Sequence, residues 1–157
     1  MKLYGKLSLS LFFFLSFVML SQAQIDDSKL SKMDLGEYLG ARLYKIFQTF
    51  GSPEDIICSS DDRGEPIMDF GKFAFQIGSK TATIVYFWEN YPGSVLGFKV
   101  GDSKFDLEKK YGKPNVEKDG KDGSLIWIYT FKDIDRYFVV FFDDNAKIKK
   151  MQLELMI

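Results

Sequence analysis

Histidine is absent from this 157-residue chain. Its absence removes the commonest general base, the commonest neutral metal ligand and the usual partner of a Ser or Cys nucleophile. Cysteine occurs once, as Cys58, so no intramolecular disulfide is possible. To act as a nucleophile that thiol needs a neighbouring base or cation, and Arg63 and the lysines are the candidates. A small buried or half-buried thiol is the simpler reading, with an intermolecular disulfide as the alternative. The charges nearly cancel, with 21 basic against 22 acidic residues, so there is no basic surplus for a phosphate backbone and no nucleic-acid partner is expected. Linker-like and low-complexity stretches are also missing, so the parts of the chain should pack directly on one another.

The oxygen-rich clusters are short. Asp61-Asp62 with Glu65, and Asp143-Asp144-Asn145, lack the spacing and the closing bidentate Glu of a calcium loop and read as solvated turns. Neither a metal nor a cofactor is expected. Acid–base chemistry on Asp61, Asp62 or Glu65 would need an apolar pocket, and the sequence shows an exposed loop there. The chain therefore reads as a non-enzyme.

What is present begins with a leader. Lys2 and Lys6 precede an apolar run from Leu7 to Leu20, and Ser21-Gln22-Ala23 supplies small residues where signal peptidase cuts, which predicts a signal peptide over 1–23 cleaved between Ala23 and Gln24. The run is too short for a stable membrane anchor, so no integral span is expected after cleavage. The destination is the periplasm or the exterior.

After the leader the chain repeats itself. Leu39-Gly40 leads into a helical pattern ending at Phe50-Gly51-Ser52-Pro53, and Val100-Gly101 leads into another ending at Tyr111-Gly112-Lys113-Pro114, 61 residues later. Leu43, Ile46, Phe47 and Phe50 predict the buried stripe of the first helix, and Phe105, Leu107 and Tyr111 that of the second. Ser103 with Asp106 forms a candidate capping box, and each Gly-x-Pro is a helix stop. The lysines Lys104, Lys109, Lys110 and Lys113 read as a solvated helix face. Aromatic and β-branched runs then predict strands at about 66–70, 72–77 and 81–89, and at about 124–132, 136–143 and 146–155. Tyr91-Pro92-Gly93-Ser94 reads as a type II turn at the seam, with Val95 to Val100 extended across it. The expected fold is α+β: two tandem helix-plus-antiparallel-sheet repeats packed side by side, the first over 24–91 and the second over 92–157.

The strands are apolar on both faces. Leu125, Trp127, Tyr129 and Phe131 point one way while Ile126, Ile128 and Thr130 point the other, and a helix covers only one of them. The second face must meet the sister repeat, a second chain in a homodimer, a partner protein or an apolar ligand.

The run Val100-Gly101-Asp102-Ser103, Leu107, Tyr111-Gly112-Lys113-Pro114 and Trp127-Ile128-Tyr129 resembles the repeat of the SmpA/OmlA (BamE-like) outer-membrane assembly lipoproteins. Two units in tandem resemble the layout of the β-lactamase inhibitory proteins. The resemblance implies a scaffold that recognises another protein through an aromatic sheet surface. Gln24 stands where those lipoproteins carry an acylated Cys, and Cys58 alone cannot supply the inhibitors' disulfides.

Among the Phe 16, Tyr 8 and Trp 2 of the chain, Trp and Tyr favour half-wet positions and dominate binding hot spots. Tyr86, Trp88, Trp127, Tyr129 and Tyr137 are therefore the candidate interface residues. The function expected is an exported, non-catalytic protein-binding module, and the alternative is a periplasmic carrier of a small apolar ligand.

Overall fold

The computed structural model describes residues 25–58 and 64–156; the expected leader and its cleavage point, and Asp61-Asp62, lie outside them. Helices α1 (Asp27–Leu30), α2 (Leu43–Phe50) and α3 (Lys104–Tyr111) and a short 3-10 turn at Leu35–Tyr38 accompany eight strands. These are β1 (Asp55–Cys58), β2 (Pro66–Asp69), β3 (Phe73–Gly78), β4 (Thr81–Phe87), β5 (Val116–Asp119), β6 (Leu125–Phe131), β7 (Arg136–Phe142) and β8 (Ile148–Leu155). All pairings are antiparallel, in the order β1-β2-β3-β4-β8-β7-β6-β5.

This order overturns the expectation of two tandem helix-plus-antiparallel-sheet repeats packed side by side. Among the described residues there is one sheet of eight strands. Ile84–Phe87 of β4 pair with Met151–Glu154 of β8, joining both halves edge to edge. Two half-sheets laid side by side would leave two rows of buried backbone donors and acceptors unpaired, and joining them satisfies both rows.

The core lies on one face. A row of Met68, Phe75, Val85, Leu153, Phe138 and Tyr129 crosses six strands in register, and a second row runs Phe73, Phe87, Met151, Val140 and Trp127. Ile46 and Phe50 of α2, Leu107 of α3, and Leu30, Leu35 and Leu39 of the N-terminal turns belong to the same buried cluster. Phe50 sits 5.0 Å from Phe73 and 5.6 Å from Phe75, ring centre to ring centre. Phe47 and Phe105, expected inside, are exposed. The reason for Phe105 is angular: two residues at about 100° each separate it from Leu107, whereas Tyr111 follows Leu107 by one turn.

Both longer helices stop alike. Gly51 (φ 78°, ψ −155°) and Gly112 (φ 77°, ψ −162°) cap α2 and α3 in backbone conformations that side chains exclude. Ser103 caps α3 by accepting from the Phe105 N–H at 3.2 Å. The β3–β4 hairpin turns on Ser79 (φ 49°) and Lys80 (φ 74°), left-handed without a glycine. The seam differs from expectation at two points. Gly93 does not have positive φ, so Tyr91–Ser94 is not a type II turn; its lack of a side chain makes room for Tyr91, whose hydroxyl oxygen lies 2.7 Å from where a Cβ would stand. Val95 to Val100 is not extended, because Val95 and Phe98 bond to each other around Leu96 and Gly97 at positive φ.

Candidate binding face

The face away from the helices carries its own rows. One runs Asp69, Ala74, Tyr86, Gln152, Val139 and Ile128, and the next Ile67, Gln76, Ile84, Glu154, Tyr137 and Thr130. Strand alternation places Tyr86 and Trp88 on this face because Val85 and Phe87 fill the core. Their rings stack, centroids 5.2 Å apart and planes 18° from parallel, and both remain half-buried.

Hydrogen bonds hold the pair at each polar tip. The Trp88 indole N–H donates to Asp69 Oδ1 at 3.1 Å, and the same carboxylate oxygen accepts from the Gly71 N–H at 2.8 Å. Tyr86 OH donates to Gln76 Oε1 at 2.5 Å, and Gln76 Nε2 donates to Glu65 Oε2 at 2.9 Å. The Thr83 hydroxyl, on a residue bulged out of the β3–β4 register, lies 3.4 Å from the same Glu65 oxygen and 3.3 Å from the Gln76 carbonyl. Gln76 is fully buried, so its satisfied amide fixes the Tyr86 hydroxyl rather than adapting to solvent. Gly78 makes room for this arrangement: a Cβ there would lie 2.5 Å from Glu65 Oε1.

The five sequence candidates divide between the faces. Tyr86, Trp88 and Tyr137 are half-buried on the face away from the helices. Trp127 and Tyr129, each 3% exposed, lie in the core beneath the helices and present no surface to a partner. Trp127 donates to Glu117 Oε2 at 2.6 Å with the Lys104 ammonium 4.9 Å over its ring. Tyr129 OH donates to the Gly112 carbonyl at 3.0 Å, and burial, helped by the Glu108 carboxylate, pushes its pKa up to about 12. Lys109, Lys110 and Lys113 are exposed, as a solvated helix face requires, and Lys104 is half-buried; the Lys104 and Lys110 ammonium groups also stand over rings, and Lys110 donates to the Leu96 carbonyl at 2.9 Å. Gln76 and Thr83 escaped the sequence reading; the signal was a lone amide inside Phe73-Ala74-Phe75-Gln76-Ile77.

A polar cleft of roughly 300 Å³ lies between Glu89, Asp122, Ser124, Phe142, Asp143, Asp144 and Lys149. The Ser124 hydroxyl, 2.6 Å from Asp122 Oδ1, and the Ser124 N–H, at 3.2 Å, hold the Asp122 carboxyl below its ordinary pKa. Asp143 accepts from the Asn145 and Lys147 N–H groups and closes the β7–β8 turn. Among the described residues no group of three potential ligands converges on a metal position. Cys58, expected to be buried or half-buried, is exposed at the end of β1. Among the described residues no helix is long and apolar enough to cross a membrane.

No protein-family model matches the chain, and no curated protein does. Solved structures share its fold. An extracellular protein containing an SCP domain from Bacillus anthracis aligns at TM-score 0.58 and 13% identity, over 85% of this chain and 49% of that one. A cysteine-rich secretory protein from Staphylococcus aureus aligns at 0.51 and 16%, over 80% of this chain and 46% of that one. A DUF4309 family protein from Bacillus subtilis aligns at 0.51 and 13%, over 73% and 78%. The chain thus spans about half the length of the first of these. These neighbours replace the SmpA/OmlA (BamE-like) and β-lactamase-inhibitor kinship that the helix stops and aromatic strand had implied. Glycine stops and aromatic strands follow from helix and sheet physics and recur without kinship.

Proposed function

We propose that this chain is an exported, non-catalytic protein-binding module whose partner seats on the sheet face away from the helices, around Tyr86, Trp88 and Tyr137. The observation that carries the reading is the Tyr86–Trp88 stack, half-buried and bonded at both polar tips. Rings fixed in advance lose little rotamer freedom on binding, which is what an interface anchor requires. Tyr137 lies two strands from β4, across β8, roughly 10 Å away, so one partner surface spans both. Export is supported by the charged, apolar and small-residue order of residues 1–23 and by neighbours described as extracellular and secretory. The missing histidine favours binding over catalysis.

The test is site-specific photo-crosslinking in the producing cells. A crosslinker replacing Gln152, which lies between Tyr86 and Val139 on this face, should trap one discrete protein, and the same group replacing Lys45 on α2 should not. A Trp88→Ala or Tyr137→Ala change should weaken the Gln152 adduct. Equal labelling from both positions, or none from Gln152 in a folded protein, would discard the reading.

A further inference from the structure

The sheet ends in two edges of different chemistry. β5 closes one with Val116-Glu117-Lys118-Asp119, and charge along an edge resists pairing with another chain. β1 closes the other with Asp55-Ile56-Ile57-Cys58, every residue exposed. Ile56 and Ile57 are 58% and 42% exposed. Among the described residues β1 is paired by β2 alone. Ile56 lines up with Met68 on the helical face, and Ile57 with Ile67 on the opposite face.

An open edge with apolar side chains on both faces accepts a strand. The β5 edge of another copy is a poor match, since it would bring Glu117, Lys118 and Asp119 against the isoleucines and desolvate them. The β1 edge of another copy matches itself. Antiparallel joining about a twofold axis normal to the sheet keeps both helical layers on one side, so opposed residues must differ by an even number. Centring the pairing on Ile57 sets Ile57 against its own copy and Ile56 against Cys58 of the second copy, twice. Apolar groups then meet on both faces, and the two Asp55 carboxylates go to opposite ends. Centring on Ile56 instead would oppose Asp55 to Ile57.

We propose that β1 is a self-association edge through which two copies of this chain join their sheets, in the register centred on Ile57. A four-residue edge buries little area, so the dimer forms by concentration, with a dissociation constant of roughly micromolar or weaker. Sedimentation velocity over a concentration series up to ~1 mM tests it. The protein should pass from monomer to dimer, and Ile57→Lys should raise the dissociation constant by about tenfold or more while its thermal melt stays unchanged. Ile56→Cys should form a disulfide-linked dimer through Cys58 under mild oxidation at protein concentrations where the dimer is populated, or Ile57→Cys with Cys58→Ala should do so through its own copy; which one reacts depends on the hydrogen-bonding parity of the pair. A wild-type chain that stays monomeric throughout, leaving the edge to a foreign strand, overturns the proposal. So does a dimer indifferent to Ile57→Lys, or a dimer in which neither cysteine variant crosslinks.

Discussion

Trp88 and Trp127 occupy opposite faces of one sheet: Trp127 is enclosed under the helices and donates to Glu117, while Trp88 stacks on Tyr86 over the face away from the helices and donates to Asp69. Truncating them should therefore have separable effects. Trp127→Ala should lower stability by about 3–5 kcal/mol, and Trp88→Ala by about 1–2 kcal/mol. Only Trp88→Ala should abolish partner binding in a protein that still melts cooperatively. Urea titration beside a crosslinking assay reads both.

Alkaline pH should unfold the protein through its buried tyrosines. Burial, with the Asp34 carboxylate nearby, pushes Tyr91 up to about 12. Its folded pKa exceeds the unfolded value near 10, so the stability that neutral Tyr91 contributes is intact below pH 10 and is lost as pH rises toward 12. Tyr91→Phe, which surrenders only a 3.5 Å bond to the Met33 carbonyl, should flatten that fall. Thermal melts at pH 8, 10 and 11 compare the two proteins.

The helix stops offer a test of backbone against packing. At Gly112 a Cβ would touch nothing within 4 Å, yet φ 77° and ψ −162° lie where side chains are excluded. Gly112→Ala should cost about 1–3 kcal/mol. Gly112→Asn should give no rescue, because asparagine tolerates the left-handed helical region and not this one. Equal stability of wild type and Gly112→Ala in denaturant would contradict this account.

The β3–β4 turn carries the reverse opportunity. Ser79 and Lys80 both hold positive φ, the geometry that Asn-Gly adopts most readily. Ser79→Asn combined with Lys80→Gly should stabilise the protein by about 0.5–1 kcal/mol, seen as a higher urea midpoint at unchanged slope.

Local chemistry was legible in the sequence and long-range pairing was not. The strands β2, β4, β6, β7 and β8 fall within the runs read from aromatic and β-branched residues, β3 overruns its own by Gly78, and α2 and α3 end at the glycines that announced them. β1 and β5 were missed because they are four residues each and wholly exposed, so no burial pattern marks them. The β4–β8 pairing joins residues about 67 apart in sequence, and neither run carries a mark of its partner. Face assignment failed for the same kind of reason: with apolar residues at both parities, alternation separates Trp127 from Ile128 without saying which side the helices take. Tyr86 and Tyr129 thus looked alike until packing told them apart.

The pairing at the centre of the sheet also dictates a timetable. β4 waits for β8, which follows it by a stretch containing α3 and three other strands. A chain emerging N-terminus first would hold β1 to β4 as a half-sheet with an open, apolar rim until residue 155 has cleared the exit. During that interval the nascent chain is a template for stray strands, and its closure depends on one late contact rather than on gradual assembly.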